Sequence, residues 1–179
     1  GLIFLYVNFQ SQSIYSGLSN IQDNILSWIF LTILVPLLIL DFKYYWLPSS
    51  IIYLGTLIGI IFICTYSYIF WNTLFIYNVS AGIIGFLIFK ILSSIGKHIY
   101  KKPVLGDGDA KLAVLIGVWL GLRGLFVSLY LSFVFAGIIS LVLLCLKVIK
   151  RNSKIPFGPF MIISSLGIWF YGTSYFQLF

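Results

Sequence analysis

Long stretches without a charge dominate this chain. Apolar runs at about 24–40, 49–71, 74–93, 124–146 and 157–175 are each long enough to cross a bilayer. A sixth, about 108–122, is shorter. Such runs fit a polytopic membrane protein and are hard to place in a soluble fold. Composition agrees: 61% of residues are hydrophobic and 8% charged, where a soluble domain carries roughly a quarter charged residues. The expected fold is an all-α transmembrane helix bundle of about six helices. Small-residue spacings at Gly55/Gly59 and Gly117/Gly121 would let neighbouring helices approach closely.

Residues 1–9, GLIFLYVNF, are apolar but too short to span. They lack the basic start and cleavage site of a signal peptide. The chain opens with Gly and its one Met is Met161, so 1–23 reads as the stub of an earlier helix plus an external loop. Residues 24–179 form a single membrane domain.

The net charge of +7 raises the possibility of a nucleic-acid partner. The basic residues instead fall in short groups between apolar segments, the pattern of cytoplasmic loops, which argues against nucleic acid. Lys43, Lys97, Lys101, Lys102, Lys147, Lys150, Arg151 and Lys154 gather on one side, against Arg123 on the other. Positive loops stay inside, so the loops after 24–40, 74–93 and 124–146 are expected in the cytoplasm. Cys64 and Cys145 lie within apolar runs, form no CxxC pair, and read as buried packing residues.

Against this background, residues 104–112, VLGDGDAKL, hold two of the four acidic residues. Asp107 and Asp109 stand at the start of the short segment, on the basic side, and Asp41 ends the first full span on that same side. Each acid alone has an ordinary reading. Asp41 can dip into headgroups beside Lys43, and Asp109 can sit in a helix first turn, where free N–H groups favour a carboxylate. Together they suggest a carboxylate pair. Two such groups brought close cannot both ionise cheaply, so one keeps its proton as acid while the other activates water as base. That chemistry hydrolyses peptide bonds without a metal or a covalent intermediate. Gly106 and Gly108 would allow close approach of a substrate strand and positive φ where needed.

The run Gly106-Asp107-Gly108-Asp109-Ala110-Lys111-Leu112 resembles the GxGD-x-K-L motif of the type IV prepilin peptidases, membrane aspartic proteases. Three further stretches agree in order: DFKYYWLPSSI, with Asp41 seven residues before Pro48; LAVLIGVWLG after the motif; and IPFGPFMIISSLG at 155–167. The resemblance implies catalytic roles for Asp41 and Asp109. Asp107 falls on the motif's variable position and is read as a solvated side chain, and Lys111 as a loop or headgroup anchor more than a catalytic partner. Lys43 and Lys111, each two residues from a catalytic Asp, are candidates to attract a substrate Glu.

The implied activity is removal of the leader from type IV prepilins and type II secretion pseudopilins, at the cytoplasmic face of the bacterial inner membrane, with the bilayer as the other partner. No cofactor is implied for that step. Family members that also N-methylate use a region with paired CxxC motifs, which these residues lack, so this chain does not support that activity. His98 has no second ligand at metal spacing, and no metal site is expected. Two rival classes fit less well. A transporter should place charges or broken helices near the midplane, where Pro36 is the one clear breaker. A presenilin-like GxGD protease pairs its motif with Tyr-Asp, whereas Asp41 follows Leu40.

Overall fold

The computed structural model describes residues 20–70, 74–101, 106–147 and 156–172, and these are helical almost throughout, with no strand among them. The helices are α1 (Asn20–Tyr44), α2 (Ser49–Phe70), α3 (Leu74–Tyr100), α4 (Asp107–Cys145) and α5 (Gly158–Gly167), the last running into a π-helical turn, Ile168–Gly172. Three stretches are long and apolar enough to cross a membrane: Ile25–Tyr44, Phe75–Ile99 and Asp107–Cys145. The apolar helices Ser49–Thr65 and Gly158–Phe170 are shorter. Among the described residues, the runs expected at 24–40, 74–93 and 124–146 fall within the three long stretches, and those at 49–71 and 157–175 begin on the two shorter helices. Residues 1–19, with the expected stub, lie outside the described residues.

Among the described residues five helices stand where about six were expected, because one of them holds two expected helices end to end. The short helix and the next one join without a loop into α4, whose 39 residues would stretch roughly 58 Å if straight, about twice the hydrocarbon thickness. Gly121 breaks it, with φ 70° and ψ −177°, a backbone region open essentially to glycine alone. The chain turns back there. Gly121 lies against Asn78 on α3, Leu125 already reaches Gly85, and Phe133 and Phe89 both pack on Phe157. Asn78 to Phe89 and Gly121 to Phe133 are matched rises of roughly 17–18 Å at about 1.5 Å per residue. The second half of α4 thus runs alongside α3, towards the end where the first half began. The break strands carbonyls of the first half, and Asn78 Nδ2 donates to one of them, Val118 O, at 3.0 Å.

Gly121 is therefore a reversal point and not part of a packing seam. Its expected partner Gly117 does serve close packing: a Cβ there would meet Ala81 O of α3 at 2.7 Å. Gly55 and Gly59 likewise admit Ile33, Leu115 and the Trp119 ring. Trp119 Nε1 donates to Gly55 O at 3.0 Å, and its ring stacks on Phe30 at 4.9 Å. Trp169 closes this aromatic group, edge-on to Trp119, and donates to Ser27 Oγ at 3.1 Å. These indoles find polar partners inside an apolar core, which is what a buried Trp requires. At the other end the core is aliphatic, built from Leu34, Leu37, Ile52, Leu112, Leu115, Leu125, Met161 and Ile162.

Two further expectations change. Pro36 does not break α1, which runs unbroken from Asn20 to Tyr44; neighbouring helices make such prolines tolerable in membranes. Cys64 and Cys145 are free and exposed, on helix faces turned away from the core. Exposed large apolar residues are plentiful on α1 to α4, as lipid-facing surfaces would be.

Candidate active site

Asp41 and Asp109 reach one site from separate helices. Asp41 lies in the last turn of α1, and its carbonyl accepts the Tyr45 N–H at 3.0 Å. Tyr45 then takes a left-handed conformation, φ 54°, which ends the helix. Pro48 follows and α2 begins at Ser49, so only Tyr45-Trp46-Leu47-Pro48 separate the two helices. Leu47, buried in this short link, touches both halves of the site. Its side chain lies 3.1 Å from the position a Cβ would take on Gly108, and 3.3 Å from that on Gly158.

Asp109 is held by the start of α4. Gly106 is the N-cap, in extended conformation at φ −76° and ψ 151°. Its N–H donates to Asp109 Oδ2 at 3.2 Å, while the Asp109 N–H donates to Gly106 O at 3.2 Å. This reciprocal pair is the backbone half of a capping box, with Asp109 as the acidic member. The cap fixes one carboxylate oxygen and leaves the other for chemistry. The helix start also offers a positive potential to the carboxylate.

Both carboxylates are buried, Asp41 to 5% and Asp109 to 9% exposure, and each lies within electrostatic reach of the other. Asp41 Oδ2 has no hydrogen-bond partner among the described residues. A buried carboxylate oxygen left without a donor is costly unless a proton or a bound molecule completes it. Gly158, the first residue of α5, sits directly on this carboxylate, and a Cβ at that position would collide with Asp41 Oδ2. Sequence reasoning had noted the PFGPF stretch only as a point of likeness. The signal was present in Gly158 itself, a glycine ahead of a proline at a helix start.

The remaining sequence-predicted residues divide. Asp107 is 80% exposed, as its solvated reading required, and it pairs with Lys90 Nζ at 2.8 Å. Lys90 was overlooked, although a lysine near the end of an apolar run is a visible signal. Lys111 sits near the start of α4. Its ammonium donates to Ser49 Oγ at 2.7 Å and lies 5.4 Å from the Tyr53 ring centroid, so it ties the start of α4 to α2. Lys43 is exposed, beside its neighbour Tyr44. Gly106 and Gly108 adopt no positive φ; Gly121 is the glycine that does. Gly108 accommodates the side chain of Leu47. Among the described residues no three His, Cys, Asp or Glu side chains gather at metal-ligand spacing.

Fold and site together describe an apolar helical protein of membrane character with two buried aspartates within electrostatic reach at one end. The chain belongs to the type IV leader peptidase family, whose model matches residues 28–141, a stretch that includes both aspartates. It is similar to proteins named prepilin leader peptidase/N-methyltransferase. That of Legionella pneumophila is 41% identical over 73 residues, covering 41% of this chain and 25% of the relative. That of Xanthomonas campestris pv. campestris is 31% identical over 77 residues, 43% of this chain and 27% of the relative. That of Aeromonas salmonicida is 32% identical over 90 residues, 50% and 31%. The matched segments thus span between a quarter and a third of those relatives' lengths. No solved structure matches the chain.

Proposed function

We propose that this chain is a membrane aspartic endopeptidase that removes the leader from type IV prepilins and type II secretion pseudopilins, with Asp41 and Asp109 as its catalytic pair. The observation that carries this reading is two buried carboxylates brought from separate helices into electrostatic reach of one another. Family membership supports a peptidase and a prepilin substrate.

In this mechanism the two carboxylates share one proton. The ionised member takes a proton from water as the water oxygen adds to the scissile carbonyl carbon. The protonated member donates to the carbonyl oxygen, giving a neutral tetrahedral diol. Collapse of the diol breaks the C–N bond as a proton passes to the departing nitrogen, and the pair returns to its starting state. The Gly106 N–H holds Asp109 in register throughout, and Leu47 packs against Gly108 and Gly158 beside the acids.

The site is read as facing the cytoplasm, from the inner membrane of a bacterium. Lys43, Lys97, Lys101 and Lys147 lie at or beyond the aspartate end of their helices, and Arg123 lies next to the Gly121 reversal at the other. That asymmetry supports an inside location for the acids. Of the two lysines considered as substrate contacts, Lys43 is the more available, since Lys111 is engaged by Ser49 and Tyr53. Co-expression with a prepilin tests the function: a gel shift marking leader loss is expected, and an unprocessed prepilin beside membrane-inserted enzyme would refute it.

A further inference from the structure

Away from the aspartates, a second polar feature opens between α2, α3 and the start of α4. Asp107, Lys111 and Val114 follow one another at helical spacing along one face of α4 and line a cleft of about 360 Å3, while Asp109 and Leu112 turn to the core. Neither catalytic aspartate lines it.

The cleft is graded along the helix axes. α2 and the first half of α4 run away from the aspartate end, and α3 runs towards it. Tyr53, Lys90, Asp107 and Lys111 therefore form the mouth, and Thr56, Phe86 and Val114 lie about one turn deeper. Exposed apolar side chains flank it on both helices, Leu54 and Leu57 on α2, Ile83 and Leu87 on α3. The mouth carries two ammonium groups and one carboxylate, an excess of one positive charge. Each ammonium has three donors, and the hydrogen bonds to Asp107 and Ser49 use one apiece.

We propose that this cleft binds the headgroup of an anionic phospholipid, with the phosphate between Lys90 and Lys111 and the upper acyl chain over Phe86 and Val114. A monoanionic phosphodiester matches the single excess charge, and an amphiphile matches the passage from charged mouth to apolar depth. Size argues against a peptide helix: the volume equals a cube roughly 7 Å on edge, whereas a helix with its side chains is about 10–12 Å across. The Lys90–Asp107 pair is half exposed on the lysine side, so a phosphate can compete for Lys90 at small cost. The inference rests on the membrane reading of the helices and not on peptidase activity, so it survives a failed cleavage assay.

The test is lipid binding by the purified chain in detergent, followed by native mass spectrometry with phosphatidylglycerol, with phosphatidylcholine, and with soluble glycerol phosphate as headgroup alone. Phosphatidylglycerol should be retained in preference to phosphatidylcholine. Lys90→Gln and Lys111→Gln should each weaken it about five-fold, the equivalent of about 1 kcal/mol per basic residue. Lys111→Arg should restore binding, and Asp107→Asn should tighten it by removing the competing acid. If Lys111→Gln does not fold, Lys90→Gln and Asp107→Asn still decide, since they are expected to move in opposite directions. The proposal is overturned if these variants bind phosphatidylglycerol as the unaltered chain does. It is equally overturned if glycerol phosphate binds as tightly as the lipid, or if the variants raise KM for a prepilin peptide while lipid binding stays constant.

Discussion

Gly158 presses its α-carbon against the carboxylate of Asp41, with no room between them for a methyl group. The contact joins the start of α5 to the end of α1, and it makes a residue with no chemistry of its own part of how the acid is held. Gly158→Ala should push the Asp41 carboxylate out of register. Leader cleavage should fall at least ~100-fold, because small misplacements at a reacting centre cost that much. Stability should fall by about 1–3 kcal/mol, as for other overpacked sites. Cleavage kinetics beside a thermal melt in detergent would separate the two effects, and an alanine variant with full activity would show that the contact is dispensable.

A second prediction concerns the reversal in α4. Gly121→Ala places a Cβ in a backbone region that costs on the order of 1–3 kcal/mol, and within 3.0 Å of Asn78 Oδ1. Asn78→Leu leaves Val118 O without its donor, at about 1–3 kcal/mol. Each should lower the melting temperature, and the double variant should lose less than the sum because both act on one turn. Strict additivity would separate the two residues.

Much of this was legible in the sequence, and the parts that were not share a cause. Apolar runs located the helices because lipid permits few alternatives, and the spacing of Lys and Asp brought Asp41 and Asp109 to one end before any coordinates. A reversal was expected between 108–122 and 124–146, beside Arg123, but how it is made was hidden, since LGLRGL carries neither a polar loop nor a proline. One glycine reverses the chain, and hydropathy cannot see a dihedral angle. Gly158 and Leu47 escaped for a related reason. Their roles are contacts across four segments, α1, the link to α2, the start of α4 and α5, and no local pattern records them. The bond from Lys111 to Ser49 was hidden for the same reason, since the two stand 62 residues apart.

Orientation gives a third prediction. A reporter fused after Lys102 should behave as cytoplasmic, and one fused near Trp71 as external, since the basic residues cluster at the aspartate end. The opposite pattern would put both acids on the outer face and remove the basis for the proposed substrate encounter.

The central claim is that Asp41 and Asp109 act as one pair, and it is tested most directly by measuring leader cleavage with Asp41→Asn, Asp109→Asn and Asp107→Asn enzymes at matched membrane levels. Asparagine is nearly isosteric with aspartate but neither ionises nor shares a proton. The account predicts that cleavage is abolished at Asp41 and at Asp109, while the exposed Asp107, paired only with Lys90, loses far less. An inactive Asp107→Asn beside an active Asp109→Asn, or an active Asp41→Asn, would contradict it.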